Sequence, residues 1–340
     1  MKNRCAYLDK NHVITIKTED VPVPNDDEAL IKIAANGICG SDVHFYADGR
    51  LGNFVVDRPY IPGHEASGTV AGLGRNVKNF IIGEKVAIEP GVPCGRCPLC
   101  MGGRYNLCRS VMFFSAPPVN GTFCDYICVR ADMVHKVPDS VPLTHAAFVE
   151  PAAVAVHAVN RAASTGTIAG RSGLIVGTGT IGLMALMFFK TMGGGCATCA
   201  DMADNRLELA KKIGADACIN VKTEKIPDAA YDIVFETAGS PVAAQTCVSA
   251  AAVGGTVVQV GWPTGNIVQI NYTDLIEKEL TVTSVNRYAN AFPAALAFIG
   301  DGRVDPAPLI THVYDFNQTA EAFAFVKNNP DKTIKVMVTN

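Results

Sequence analysis

Basic residues neither predominate nor cluster in these 340 residues: 29 Lys and Arg stand against 32 Asp and Glu, for a net charge of −3. Without a block of cations there is no face for a phosphate backbone, so no nucleic-acid partner is expected. Long apolar runs are missing too. The longest strongly apolar stretch, residues 181–189, falls well short of the roughly 20 residues that cross a bilayer, so no membrane partner is expected either. Charged residues are few, at 18%, while hydrophobic residues make up 49%; this balance excludes disorder and supplies large cores. No repeat or low-complexity tract appears, and the length leaves room for two domains. No signal-peptide pattern precedes the strand-like segment after Met1-Lys2-Asn3-Arg4. A reducing cytoplasm, with thiols free or on metal, is the expectation.

Cysteine, by contrast, is plentiful. Twelve are present, and four are spaced Cys94-x2-Cys97-x2-Cys100-x7-Cys108 among Pro93, Gly95, Pro98, Gly102 and Gly103. Four thiolates so close together suit tetrahedral Zn²⁺, and a site closed by four sulfurs leaves no position for a substrate. This cluster predicts a structural zinc. Two looser pairs, Cys196-x2-Cys199 and Cys124 with Cys128, read as buried thiols, because residues three apart on a strand point to opposite faces.

The chain changes character near residue 152. Before it, β-rich segments such as Val13-Ile14-Thr15-Ile16 and Ala29-Leu30-Ile31-Lys32-Ile33 are interrupted by Pro22, Pro24, Pro59, Pro62 and Gly72 to Gly74. After it, apolar strands alternate with helical patterns: a strand at 173–176, a helix from Thr180, a strand at 196–200 and a helix at 205–212. A strand at 231–235, an Ala-rich helix near 242–253 and strands at 255–260 and 280–285 follow. Such alternation predicts a parallel sheet with crossover helices. The last fifty residues are mixed and end in a strand at 333–339.

Gly177-Thr-Gly179-Thr-Ile-Gly182 follows the first of these strands and opens the first helix. Glycines there permit a tight turn and close approach of backbone to a pyrophosphate at a helix N-terminus. Asp201, nineteen residues past Gly182, is placed to accept from the adenosine ribose hydroxyls and to repel a 2′-phosphate, which favours NAD over NADP. Arg206 would stack on the adenine or serve as a helix-surface charge.

A second donor set is less conspicuous. Cys39 lies in Gly37-Ile-Cys39-Gly40-Ser41-Asp42-Val-His44, and His64-Glu65 in Pro62-Gly63-His64-Glu65. A catalytic zinc needs three protein ligands and one exchangeable position. One thiolate, one carboxylate and a neutral imidazole balance its charge. Adjacent His64 and Glu65 can share an ion only if the backbone bends, as Pro62-Gly63 allows. Direct ligation by Glu150, in Phe148-Val-Glu150-Pro151, would make the set anionic, so an indirect role through water is expected.

On Gly37 to His44, Gly63-His-Glu-Ala-Ser-Gly-Thr69, Glu89-Pro-Gly-Val-Pro-Cys94, Val149-Glu-Pro151 and the glycine fingerprint, the chain resembles the zinc-dependent medium-chain dehydrogenases over essentially its whole length, and is most similar to their sorbitol and xylitol branch. The resemblance implies an α/β protein. A Rossmann, doubly wound parallel-sheet domain at 153–289 would bind NAD, and a mostly β, GroES-like catalytic domain would comprise 1–152 and 290–340. It implies two zinc ions per chain, one catalytic on Cys39, His64 and Glu65 and one structural on Cys94, Cys97, Cys100 and Cys108. Glu150 would contact the zinc-bound water and the substrate, and Ser41 and His44 would relay the proton. Arg287, Tyr288 and Phe113 or Phe114 would meet a polyol. Phe45, where sorbitol dehydrogenases often carry tyrosine, would remove a hydroxyl from the pocket wall. Ile181, Val260, Gly261, Val285 and Asn286 would lie along the cofactor, and the protein would be a homo-oligomer, a tetramer by family resemblance, with the strand at 280–285 pairing across an interface. The expected reaction oxidises a secondary hydroxyl of a sugar alcohol to a ketose with NAD as hydride acceptor. The rival readings are a threonine- or 2,3-butanediol-type zinc dehydrogenase and, more remotely, a non-catalytic zinc- and nucleotide-binding scaffold.

Overall fold

The computed structural model describes residues 2–263 and 267–340; Met1 lies outside the described residues. The chain divides into two compact units, Met1–Glu150 with Ala295–Asn340, and Pro151–Ala294.

The first unit is built on a seven-stranded sheet. Its order is Val134–Lys136, Lys85–Ile88, Glu65–Leu73, Glu28–Gly37, Lys335–Thr339 and Ile310–Asp315, with Tyr126–Arg130 also paired to Glu28–Gly37. Along the central strand Glu28–Gly37, alternate residues Ala29, Ile31, Ile33 and Ala35 are buried, the period of two that a strand imposes. Ala29, Ile31 and Ile33 pack with Val70, Val86, Ile88 and Val129. A second core gathers Leu8, Phe45, Tyr60, Phe123, Phe316, Phe323, Val336 and Val338. Register then sets up the site. Gly37 pairs with Glu65 on one neighbour and with Met337 on the other, so the ends of three strands converge. A Cβ on Gly37 would lie 2.1 Å from Glu65 Oε2; only glycine leaves room for that carboxylate. The helix Gly40–Asp48, which the β-rich reading of this region did not anticipate, starts immediately after, with Cys39 as its N-cap in extended conformation.

The second unit is a six-stranded parallel sheet in the order Ala217–Asn220, Ala197–Asp201, Gly173–Val176, Tyr231–Glu236, Ala251–Gln259 and Thr281–Ser284. Strand order reverses between Gly173–Val176 and Tyr231–Glu236, the doubly wound arrangement expected from the alternation of strands and helices. Such sheets bind ligands at the carboxyl ends of the strands beside that reversal. The helix Thr180–Thr191 buries Gly182 to Leu186, Phe188 and Phe189, which accounts for its nearly continuous apolar sequence. The Ala-rich helix ends at Ala250, earlier than its composition suggests, because residues from Ala251 onward are drawn into pairing with the strand Tyr231–Glu236; tertiary pairing overrides local propensity here. Cys196 departs from the buried-thiol reading. It is exposed in the turn before the strand Ala197–Asp201, whereas Cys199 within that strand is buried. Cys124 is buried and Cys128 half-buried.

Candidate functional site

Two segments of the first unit bring Cys39, His64 and Glu65 together, with one ligand atom of each within 4.8 Å of the others. The backbone bend needed for neighbouring residues to share a centre is present. Gly63 adopts φ 97, and the strand Glu65–Leu73 starts only at Glu65, which leaves His64 outside strand geometry. Sulfur, nitrogen and oxygen donors in this number fit zinc with one position left over.

Three residues that local motif reading did not single out as functional surround these donors. Asp42, fully buried on the helix Gly40–Asp48, accepts the Cys39 N–H on Oδ2 at 3.2 Å and lies 3.5 Å from His64 Nδ1 through Oδ1. Ser115 donates to Asp42 Oδ1 at 2.5 Å. Lys335 donates through Nζ to both Glu65 oxygens, at 2.7 and 2.6 Å, and to the Ile38 carbonyl at 3.1 Å. Burial opposes the Lys335 charge, but Glu65, Cys39 and Glu150 outweigh it and hold its pKa above lysine's ordinary range. Burial likewise opposes charge on His64, while Asp42 and Cys39 raise its pKa well above the usual histidine value. Glu150, in the first turn of the helix Val149–Ala163, is 5% exposed and lies within electrostatic reach of Lys335.

The other expected site residues of this unit separate by helix face and strand side. Asp42 and Phe45 occupy the buried face of the helix Gly40–Asp48. Ser41 and His44, one turn apart, are partly exposed, and His44 Nδ1 pairs with Asp48 at 3.0 Å. Phe45 is 4% exposed, in the hydrophobic core with its ring edge-on to Tyr60. Phe113 sets its ring 5.4 Å from that of His64, whereas the adjacent Phe114 packs against the sheet core.

The four-cysteine lobe is compact. All four sulfurs lie within 4.8 Å of one another, with Sγ–Sγ separations of 3.4 Å for Cys97–Cys100 and 3.9 Å for Cys94–Cys100. A tetrahedron with Zn–S bonds of about 2.3 Å has edges of about 3.8 Å, so the set fits zinc. Gly95 and Gly103, both at φ 72, turn the backbone around it. Buried Glu89 anchors the lobe: it accepts from Tyr105 Oη at 2.9 Å and meets His135 Nε2 at 2.9 Å on the strand Val134–Lys136.

In the second unit the glycine turn has the form a dinucleotide needs. Gly177 sits at φ 92 against Ala238, and a Cβ on Gly182 would fall 1.9 Å from the Gly177 carbonyl oxygen. Gly179, the N-cap of the helix Thr180–Thr191, has no side-chain cap, and a Cβ there would meet nothing within 4 Å. This open glycine at a helix N-terminus fits a pyrophosphate. Asp201 Oδ2 accepts from Thr178 N–H at 2.7 Å and from Thr178 Oγ1 at 2.9 Å, while Oδ1 accepts from the N–H groups of Met202 and Ala203. The carboxylate thus joins two turns at the ends of adjacent strands. Ile181 lies in the first turn of the helix. Val260 and Gly261 both donate N–H to the Glu236 carbonyl, and Val285 is buried beside exposed Asn286. Arg206 is half-buried on the helix Asp204–Lys212. Arg287 adopts φ 57, and Tyr288 is buried with its ring 6.0 Å from that of Phe292.

A doubly wound nucleotide-binding sheet and a β unit carrying thiolate, imidazole and carboxylate donors together define a metal-assisted dehydrogenase. Residues 25–139 match the alcohol dehydrogenase GroES-like domain and residues 180–301 the zinc-binding dehydrogenase domain. The chain is 42% identical to a sorbitol dehydrogenase of Bacillus subtilis, over 98% of this chain and 96% of that one. Among solved structures it resembles L-idonate 5-dehydrogenase of Escherichia coli (TM-score 0.94, 31% identity, 100% and 99% covered). It also resembles a structure from Sinorhizobium meliloti bound to NADP (TM-score 0.91, 26% identity, 100% of both chains). The chain belongs to the zinc-dependent medium-chain dehydrogenase family.

Proposed function

We propose that this chain oxidises a secondary hydroxyl of a sugar alcohol to a ketose, with NAD as hydride acceptor and two zinc ions per chain. The observation that carries the reading is the convergence of Cys39, His64 and Glu65 within 4.8 Å in a chain so similar to a sorbitol dehydrogenase. Zinc held by these three supplies a Lewis acid that lowers the pKa of the substrate hydroxyl, and NAD supplies the hydride acceptor.

The remaining chemistry belongs to the chain. Asp42 fixes the His64 ring, Lys335 neutralises one carboxylate, and Glu150 accepts from a water and a substrate hydroxyl. Ser41 Oγ takes the departing proton, and His44, steadied by Asp48, passes it to solvent. Phe113 shields one side of His64 from water. Gly177, Gly179 and Gly182 admit the pyrophosphate, lined by Ile181, Val260, Gly261, Val285 and Asn286. Asp201 holds the adenosine ribose, Arg206 lies along the adenine, and Arg287 and Tyr288 bind further hydroxyls of the polyol. Cys94, Cys97, Cys100 and Cys108 hold the second zinc in a structural role.

The protein acts in the cytoplasm as a homo-oligomer. The strand Thr281–Ser284 ends the sheet with Val282 46% exposed, which supports pairing with a second copy. Steady-state rates on xylitol, sorbitol, galactitol, threonine and 2,3-butanediol, with NAD and NADP and before and after chelation, test the function. Turnover confined to polyols, dependent on metal and on NAD, is expected. Full turnover by Cys39→Ser would overturn the metal assignment, and preference for NADP would overturn the role of Asp201.

A further inference from the structure

Ser115 combines two features that seldom coincide: a left-handed backbone at φ 68 and a side chain buried to 2% exposure. Glycine fits such a backbone with less strain, and asparagine is the commoner alternative. What serine adds is its hydroxyl, and that hydroxyl is fully engaged. It donates to Asp42 Oδ1 at 2.5 Å and accepts the Gly63 N–H at 2.9 Å. Asp42 in turn accepts the Cys39 N–H on Oδ2 at 3.2 Å and lies 3.5 Å from His64 Nδ1. One buried pair therefore grips the backbone at Cys39 and at the residue before His64. Without the hydroxyl, Gly63 N–H would keep only a 3.3 Å contact to Asp42 Oδ1, and Asp42 would lose the donor opposite Cys39. The loop that carries Ser115 also carries Phe113, whose ring lies against His64, so the same segment fixes both the ring's packing and its polar partner.

We propose that Ser115 is a positioning residue for the metal set, its hydroxyl locking Asp42 and the Gly63–His64 backbone and thereby setting metal affinity and geometry at Cys39, His64 and Glu65. This rests on reading those three residues as ligands. Partners of this kind behind a ligand commonly change metal affinity by about 10–100-fold when removed.

The test uses the full chain stripped of metal and titrated with Zn²⁺ against a chromogenic chelator, and separately with Co²⁺, whose visible bands report ligand geometry. Ser115→Gly relieves the left-handed backbone and removes the hydroxyl; Ser115→Ala removes the hydroxyl and keeps the strain. The expected result is a parental circular dichroism spectrum for Ser115→Gly, about 10–100-fold weaker binding at one of two zinc sites in both variants, and shifted Co²⁺ bands. Parental affinity and superimposable Co²⁺ bands in Ser115→Gly would overturn the proposal, as would a loss confined to Ser115→Ala, which would assign the effect to the backbone. Cys39→Ser separates the two levels. If it loses one zinc while Ser115→Gly loses none, the role of Ser115 alone fails; if Cys39→Ser itself keeps both, the ligand assignment fails and this proposal with it.

Discussion

Lys335 and Glu65, 270 residues apart in the chain, form a buried ion pair in which one ammonium donates to both carboxylate oxygens, at 2.6 and 2.7 Å. Their side chains are 3% and 2% exposed. The pair places a cation directly behind a carboxylate proposed to hold the metal. Zinc, Cys39, Glu65 and Glu150 together would carry one excess negative charge, and Lys335 cancels it.

Removing one partner of such a pair strands the other in a medium that solvates it poorly. Lys335→Met is expected to lower the stability of the metal-free protein by about 3–5 kcal/mol, with Glu65→Gln in the same chain restoring part of the loss. Urea denaturation of the two single variants and the double variant, all metal-free, measures the coupling; additive losses would show that the pair contributes nothing.

The glycine turn predicts two unlike outcomes from one substitution type. Gly179→Ala adds a methyl that meets nothing within 4 Å, so thermal stability should stay close to parental while NAD binding weakens on the order of tenfold or more as the methyl occupies the path of the pyrophosphate. Gly182→Ala drives its methyl to 1.9 Å from the Gly177 carbonyl oxygen and should destabilise the second unit by about 1–3 kcal/mol. Scanning calorimetry with NAD titration separates the two.

The lobe should govern stability ahead of chemistry. Cys97→Ser is expected to release one zinc per chain and lower the melting temperature, while the primary deuterium isotope effect on a C-deuterated polyol stays parental in the folded fraction. Loss of hydride transfer in a stable, folded Cys97→Ser protein would contradict a structural role. Metal analysis and isotope effects on the purified variant provide the check.

Acid should weaken the first unit through Asp125. This carboxylate accepts from Arg4 Nε at 3.0 Å, Arg4 Nη2 at 2.8 Å and the Arg4 N–H at 2.8 Å, with Asn340 adding a fourth bond at 3.1 Å. Burial disfavours its charge, but Arg4 and Asn340 outweigh burial and depress the pKa. A depressed carboxylate contributes stability above its unfolded pKa of about 3.9, and that contribution is lost as pH falls through the folded value. Asp125→Asn should therefore cost about 1–2 kcal/mol at pH 7, with the difference from parent narrowing below about pH 4. Melts of both proteins from pH 7 to 3 test the sign.

Much of this protein was legible in its sequence because the relevant physics is local. Strands alternating with helical periodicity after residue 152 announce a parallel sheet, and the sheet of six parallel strands is found there. The cysteine run announces a tetrahedral donor set because the chain between its members is too short to keep the thiols apart. Cys39 and the His64–Glu65 pair carry their own Gly and Pro neighbours, whose backbone freedom is needed for adjacent side chains to converge. Phe45, expected in the pocket wall from the family resemblance, lies one step round the helix from His44 and packs with Tyr60 in the core.

What the sequence left undecided depends on register between distant strands and on a loop's exact path. Lys335 stands in a C-terminal strand, where a lysine reads as a solvent-facing charge. Only the pairing of Met337 and Glu65 with opposite sides of Gly37 brings its ammonium inside, to a carboxylate strong enough to outweigh desolvation. Asp42 and Ser115 are ordinary in sequence, since a helix-start aspartate and a loop serine have many uses. Their roles arise because three segments close around one buried oxygen. The sequence by itself determined the donors, the turn and the alternation of elements; the tertiary structure decided which charges balance them, because electrostatic pairing depends on distance in space and not along the chain.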